Sequence, residues 1–172
     1  RCLSSALFES HPGSWNPIKT TAKRCASGWL LQGMKNCVTV DKSTRWLLVS
    51  AQVDGEQTGL FVVDIDSPGL KQSLQIGTAG DVMRSVLFDD VEVAEEALLG
   101  CLESGAEKID WVHLRALACS CLLHLGIAER QVQMLADYAS KRHQFGQPIG
   151  AHQGVQHPMA KAHTAVEMAS LM

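Results

Sequence analysis

The stretch 141–153, KRHQFGQPIGAHQ, separates a long segment of helical apolar periodicity from a shorter one, and its reading decides the second half of the fold. Phe-Gly-Gln-Pro-Ile-Gly interrupts a helix, because glycine frees the backbone and Pro148 has no N–H to donate. A plain turn between helices needs only the Gly and the Pro. Arg142, Gln144, Phe145 and Gln153 crowd the same corner, which suggests that it also holds something.

Upstream of this corner, Trp111, Leu114, Ala118, Cys121, Leu122, Leu125, Ala128, Val132, Leu135 and Ala136 recur at spacings of three and four or adjacent to them. They predict one continuous helix from Asp110 to about Lys141 with a single apolar stripe. At about 1.5 Å per residue that helix is on the order of 45 Å long. A small β unit cannot cover such a stripe, so part of it is expected to face material outside this chain. Downstream, a second helix is expected from around Ala151 into the closing VEMASLM, where no cap residue stops it. Pro158 sits comfortably only in a first turn, so this helix starts late or is kinked there. The uncapped end and a first strand at the N-terminus point to a fragment of a longer polypeptide.

The chain changes character near residue 105. Before it lie short apolar runs at 28–33, 44–53, 59–65 and 84–93, separated by DKS, DGEQ and DSPG, which supply turn residues. The two middle runs, joined across Asp54-Gly55, read as a β-hairpin. The fold class is thus α+β. Residues 1–104 form an antiparallel β domain, barrel or sandwich, and residues 105–172 an antiparallel helix pair from an incomplete bundle.

Composition narrows the function. With 46% apolar residues and a net charge of −3 the chain is of ordinary globular type without a basic stripe, so nucleic-acid binding has little support. No run of about 18 apolar residues and no signal peptide is evident, so no membrane partner is expected. Cys2, Cys25, Cys37, Cys101, Cys119 and Cys121 contain no CxxC and are read as reduced, half-buried thiols of a cytosolic protein. His152, His157 and His163 lack the three- or four-residue spacing that converges two ligands on a metal. No GxGxxG opens a helix, so a nicotinamide site is not supported.

Four blocks, in order, carry a family resemblance: ALFESHPGSW with IKTTAKRCASGWLLQGMKNCVT, then LFVVDIDSPGL, RSVLFDDVEVAEEALLG and YASKRHQFGQPIGAHQGVQH. Across nearly its whole length the chain resembles the acyl-CoA dehydrogenase family of flavoproteins. The resemblance implies a β-barrel middle domain followed by the first two helices of a C-terminal four-helix bundle. It also implies FAD as cofactor, an acyl-CoA substrate, electron-transfer flavoprotein as redox partner, and a homo- or hetero-oligomer. The compartment expected is the cytoplasm, or the mitochondrial matrix in a eukaryote.

In this family the corner between the helices reaches the FAD of a neighbouring subunit. Carried onto this chain, Arg142 would bind the pyrophosphate as a charged fork, with Gln144, Gln153 and His152 beside it and Phe145 packed on the cofactor. The flavin ring would rest against Phe8 and Ser14, after the first strand, and against Cys37, Val38 and Thr39. Thr39 would hydrogen-bond near the reactive nitrogen, or be an ordinary strand residue. Cys37 replaces the family's usual aromatic.

The family reaction is α,β-dehydrogenation of the thioester, with a glutamate as base. Most members carry that glutamate beyond the matched region; some carry it on the long helix, where this chain has Ala116. Asp110 lies about a turn and a half too early, Leu117 stands where an arginine is frequent, and Ala94 replaces a proline. No catalytic base is visible. These departures resemble members acting on bulky substrates such as steroid side chains, some of which pair with a partner lacking the base. Three readings stay open: a dehydrogenase whose base lies elsewhere, a base-less partner subunit, and a non-flavin structural relative.

Overall fold

The computed structural model describes residues 2–9, 17–55, 57–78 and 80–172. Its contacts separate into two compact units, one ending at Trp111 and one beginning at Val112.

The first unit is a single curled sheet of seven strands: β1 (Cys2–Ala6), β2 (Thr21–Cys25), β3 (Gly28–Val38), β4 (Thr44–Val53), β5 (Gln57–Asp64), β6 (Leu70–Ile76) and β7 (Val82–Ala94). The β4–β5 hairpin forms as the sequence suggests. Asp54 and Gly55 both take positive φ (50° and 79°), the geometry whose twist matches the flanking strands. Strand β4 is central and carries β5 on one edge. Its other edge is shared by β1, alongside Thr44 and Trp46–Val49, and by β2, alongside Gln52 and Val53.

Both of those pairings are parallel, which corrects the expectation of a purely antiparallel sheet. The chain reaches β4 only after crossing through β2 and β3, so β4 can run in the same direction as β1. Nor do the described residues form a sandwich of two sheets, since the seven strands among them belong to one. Trp29, Leu31, Val49, Phe61, Val63, Val86 and Phe88 fill its concave side, and Trp29 meets Phe61 edge to face at 5.5 Å.

Helix α1 (Gly105–Lys141) begins five residues before the expected Asp110. Gly105 is required at its start: a Cβ there would lie 1.7 Å from the Thr58 carbonyl of β5. Ile109, one turn on, is fully buried. From Val112 onward burial almost vanishes. Among the described residues of the second unit, Ala139 is the only buried hydrophobic, while Leu122 and Leu123 are 69% and 64% exposed. An 18-residue window of this helix has a mean hydropathy of 1.4 and is long and apolar enough to cross a membrane. The sequence reading, which counted only unbroken apolar runs, did not register it.

Helix α2 (Gln153–Ser170) contains Pro158 in its second turn rather than its first. The missing N–H leaves the Gly154 carbonyl without its usual helical donor. Four of the six cysteines, Cys2, Cys101, Cys119 and Cys121, are exposed rather than half-buried, and all six are free thiols.

Candidate cofactor-binding site

In the sheet unit, Phe8 and the end of β3 come together. The Asn36 N–H donates to the Phe8 carbonyl at 2.8 Å, and the Asn36 side-chain amide donates to the Glu9 carbonyl. Cys37 follows in a left-handed conformation, φ 55°, with its N–H given to Gln75 Oε1 at 3.0 Å. Thr39 is exposed, and its carbonyl accepts the Ser4 hydroxyl at 2.5 Å. Val38 differs from its neighbours: its side chain is wholly buried in the core, so only its backbone can face a ligand. Ser14 lies outside the described residues.

Beneath this surface lies a buried ion pair that sequence reasoning missed. Lys35 Nζ stands 2.6 Å from Glu9 Oε1, with the lysine side chain fully buried and the glutamate nearly so. Ser50 Oγ accepts a second Lys35 proton at 3.0 Å. Glu9 in turn accepts the Thr20 N–H and hydroxyl at 2.9 and 2.8 Å and the Lys19 N–H at 2.7 Å. Burial is the largest influence on Glu9 and pushes its pKa up, but the Lys35 ammonium and the Thr20 donors outweigh it and hold the carboxyl below its ordinary value. Burial dominates at Lys35 and pulls its pKa down against the attraction of Glu9. Gly33 makes room for this knot, since a Cβ there would lie 2.7 Å from Thr20 Cα at φ 143°. The available signal was a lysine and an asparagine interrupting an apolar strand, GMKNC.

In the helical unit the corner is tighter than a bare turn. Strands β8 (His143–Gln144) and β9 (Gln147–Pro148) pair as a minimal hairpin, turned by Phe145 and Gly146 at φ 55° and 82°. Its base is closed by the Ile149 N–H donating to the Arg142 carbonyl at 2.8 Å. Gly150 packs against Ala139 of α1, where a Cβ would meet the Ala139 carbonyl at 3.2 Å. His152 occupies the N-cap position of α2 without a side-chain capping hydrogen bond. Its ring meets Phe145 edge to face at 6.0 Å and lies 3.4 Å from the Gln147 amide and 3.5 Å from the Gln144 carbonyl.

The corner therefore gathers Arg142, Gln144, Phe145, His152 and Gln153, all exposed except the half-exposed His152. Phe145 is 93% exposed at the hairpin tip, in a backbone conformation that aromatic residues seldom adopt. Among the described residues no carboxylate pairs with the Arg142 guanidinium. Ala116 is exposed on α1.

Residues 113–172 match the family model of the acyl-CoA dehydrogenase C-terminal domain. An acyl-CoA dehydrogenase of Bacillus subtilis is 32% identical over 173 residues, which cover 95% of this chain and 45% of that protein. Among solved structures, the acyl-CoA dehydrogenase of Bacillus anthracis complexed with FAD superposes with a TM-score of 0.84 at 30% identity, covering 96% of this chain and 30% of the other. The steroid ACAD Tcur3481-Tcur3483 gives 0.79 at 33% identity, covering 97% and 44%. The chain belongs to the acyl-CoA dehydrogenase family. It spans a little under half the length of these curated relatives, 45% of the Bacillus subtilis protein and 46% of an acyl-CoA dehydrogenase of Mycobacterium tuberculosis that is 29% identical over 99% of this chain.

Proposed function

We propose that this chain is the cofactor-holding part of an FAD-dependent acyl-CoA dehydrogenase. The observation that carries the reading is the exposed corner: among the described residues the exposed Arg142 guanidinium has no carboxylate partner, and it stands at the base of a hairpin whose tip bears the almost fully exposed phenyl ring of Phe145. That donor set fits a ligand that is anionic at one part and flat and aromatic at another. Arg142 would clamp the pyrophosphate through its paired N–H groups, with Gln144 and Gln153 donating amide protons to nearby oxygens. Phe145 and His152 would shield that contact from water. In the sheet unit, Phe8, the Cys37 and Val38 backbone and Thr39 would support the flavin ring, with Thr39 hydrogen-bonding close to its reactive nitrogen. Ser14 keeps the same expected role.

Bound in this way, FAD supplies the hydride acceptor for α,β-dehydrogenation of an acyl-CoA thioester. With Ala116 on the helix position that some relatives use, the α-proton goes to a carboxylate supplied from outside residues 1–172. Because the family's corner serves a neighbour's cofactor, the active form is a dimer or a dimer of dimers. Electron-transfer flavoprotein is the fitting acceptor.

A second reading is favoured by Ala116 together with the pairing of two chains in the name of the steroid ACAD neighbour. Here the protein is a base-less subunit that lends Arg142 to another chain's flavin. The visible absorbance of the purified full-length protein, before and after addition of acyl-CoA thioesters, tests both. A bound flavin that bleaches with one thioester in the homo-oligomer supports the first reading and eliminates the second. A flavin that stays oxidised until a partner chain is added supports the second, and absence of flavin contradicts both.

A further inference from the structure

We propose that Gln75, on edge strand β6, is a positioning residue that fixes the flavin-facing end of β3, the segment carrying Cys37 and Thr39. The inference rests on the cofactor reading above, which makes residues 37–39 the part of the sheet unit that meets the ring.

The ladder between β3 and β7 carries a defect. Lys35 lies opposite Val86 and Val38 opposite Arg84, so Asn36 and Cys37 together occupy the space facing Ser85 alone. This is a bulge of two residues against one, and it forces Cys37 to φ 55°. A side chain with a Cβ pays a steric penalty there, so the conformation persists only where neighbours hold it.

The holding groups come from across the sheet. The strand order is β3-β7-β6, so Gln75 must reach over β7 to touch the bulge. Its Oε1 accepts the Cys37 N–H at 3.0 Å, and its Nε2 donates to Asn36 Oδ1 at 3.4 Å. Ser85 of the intervening strand donates its hydroxyl to the same Asn36 oxygen at 2.6 Å. On the other side, Asn36 binds the carbonyls of Phe8 and Glu9. One layer of polar side chains thus staples three adjacent strands and the segment after β1 around a single strained residue.

The rest of β6 shows that this glutamine is out of the ordinary for its strand. Lys71, Gln72, Ser73, Leu74 and Ile76 are exposed, whereas Gln75 is half-buried and turned onto the bulge. The consequence is that Thr39, two residues past Cys37, inherits its direction from a residue on a strand that need not touch the cofactor.

The test compares wild-type full-length protein with Gln75→Leu, Gln75→Glu and, as a control on the same strand, Ser73→Ala. Hydrogen exchange in the peptide spanning residues 34–40 is expected to quicken about five- to tenfold in Gln75→Leu, the loss of one hydrogen bond. The absorption band and midpoint potential of the bound flavin are expected to shift with it. Gln75→Glu retains the acceptor for Cys37 N–H and should bring both readouts back toward wild type, and Ser73→Ala should move neither. Unchanged exchange in Gln75→Leu would overturn the proposal. So would faster exchange with an unaltered spectrum and potential, which would confine Gln75 to a structural role. A wild-type protein without flavin would instead sink the cofactor reading, and exchange alone would then decide whether Gln75 holds Cys37.

Discussion

The two units satisfy their apolar residues in opposite ways. The sheet unit closes a core of its own, with Trp29, Phe61 and Phe88 at or below 1% exposure, and it buries an ion pair as well. The helical unit beyond Trp111 buries Ala139 and presents leucines on several sides of α1 to solvent. The lesson is that the sheet's stability is written within these residues, whereas the helices are shaped for contacts that these residues do not make among themselves. The candidate cofactor contacts follow the same division. In the sheet unit the candidate site is anchored from below by buried polar groups, and in the helical unit it stands out on a hairpin tip.

The sharpest way to break this contrast is to remove one member of the buried pair. Lys35→Met leaves the Glu9 carboxylate without its cation and should destabilise the sheet unit by about 3–5 kcal/mol. Urea unfolding followed by the fluorescence of buried Trp29 would measure it. Replacing both partners by apolar residues should restore most of the loss, because it is the unpaired charge that is expensive. Acid titration sharpens the same point. Because the Glu9 pKa is lowered in the folded state, its contribution is fully present above the ordinary glutamate range and is lost as pH falls through the depressed value. Glu9→Gln should therefore be less stable at neutral pH and flatter in its acid response, as read from urea midpoints across that range.

A smaller effect is expected where the first turn of α1 meets β5. Gly105→Ala places a methyl against the Thr58 carbonyl and should cost about 1–3 kcal/mol in thermal or urea unfolding, because backbone must move. The smallest effect belongs to the helical unit. Leu122→Ser and Leu123→Ser should change the stability of this 172-residue chain by no more than about 0.5 kcal/mol. A large loss there would mean that the exposed face is covered within the chain, and the contrast between the units would fail.

How much of this was legible in the sequence depended on how local the signal was. The β4–β5 hairpin was readable because Asp54-Gly55 encodes its own turn, and α1 because its apolar spacing repeats over many turns. Strand β6, LKQSLQI, was not read as a strand: Gln72 breaks the alternation of Leu70, Leu74 and Ile76, and polar residues fill the remaining positions. Strand β2, TAKRC, lies inside the sheet yet was missed because Ala22 is its one buried apolar residue, set among polar neighbours. The parallel neighbours of β4 are a tertiary choice that no local pattern records. At the site, the corner residues stood out through the motif at 142–153, yet the Phe145-Gly146 hairpin turn did not, since an aromatic residue disfavours the φ it adopts. Glu9 and Lys35, separated by 26 residues, and Gln75 with Cys37, separated by 38, meet only once the sheet has formed.

On the proposed reading, the exposed corner of the helical unit grips an anionic flavin cofactor. The measurement that tests it most directly is the FAD dissociation constant of the full-length protein with and without Arg142→Ala. A charge-assisted hydrogen-bonding site of this kind predicts affinity weaker by about 10- to 100-fold, with the unfolding midpoint of the cofactor-free protein unchanged. An affinity equal to wild type would contradict the account and leave the hairpin as a structural turn alone.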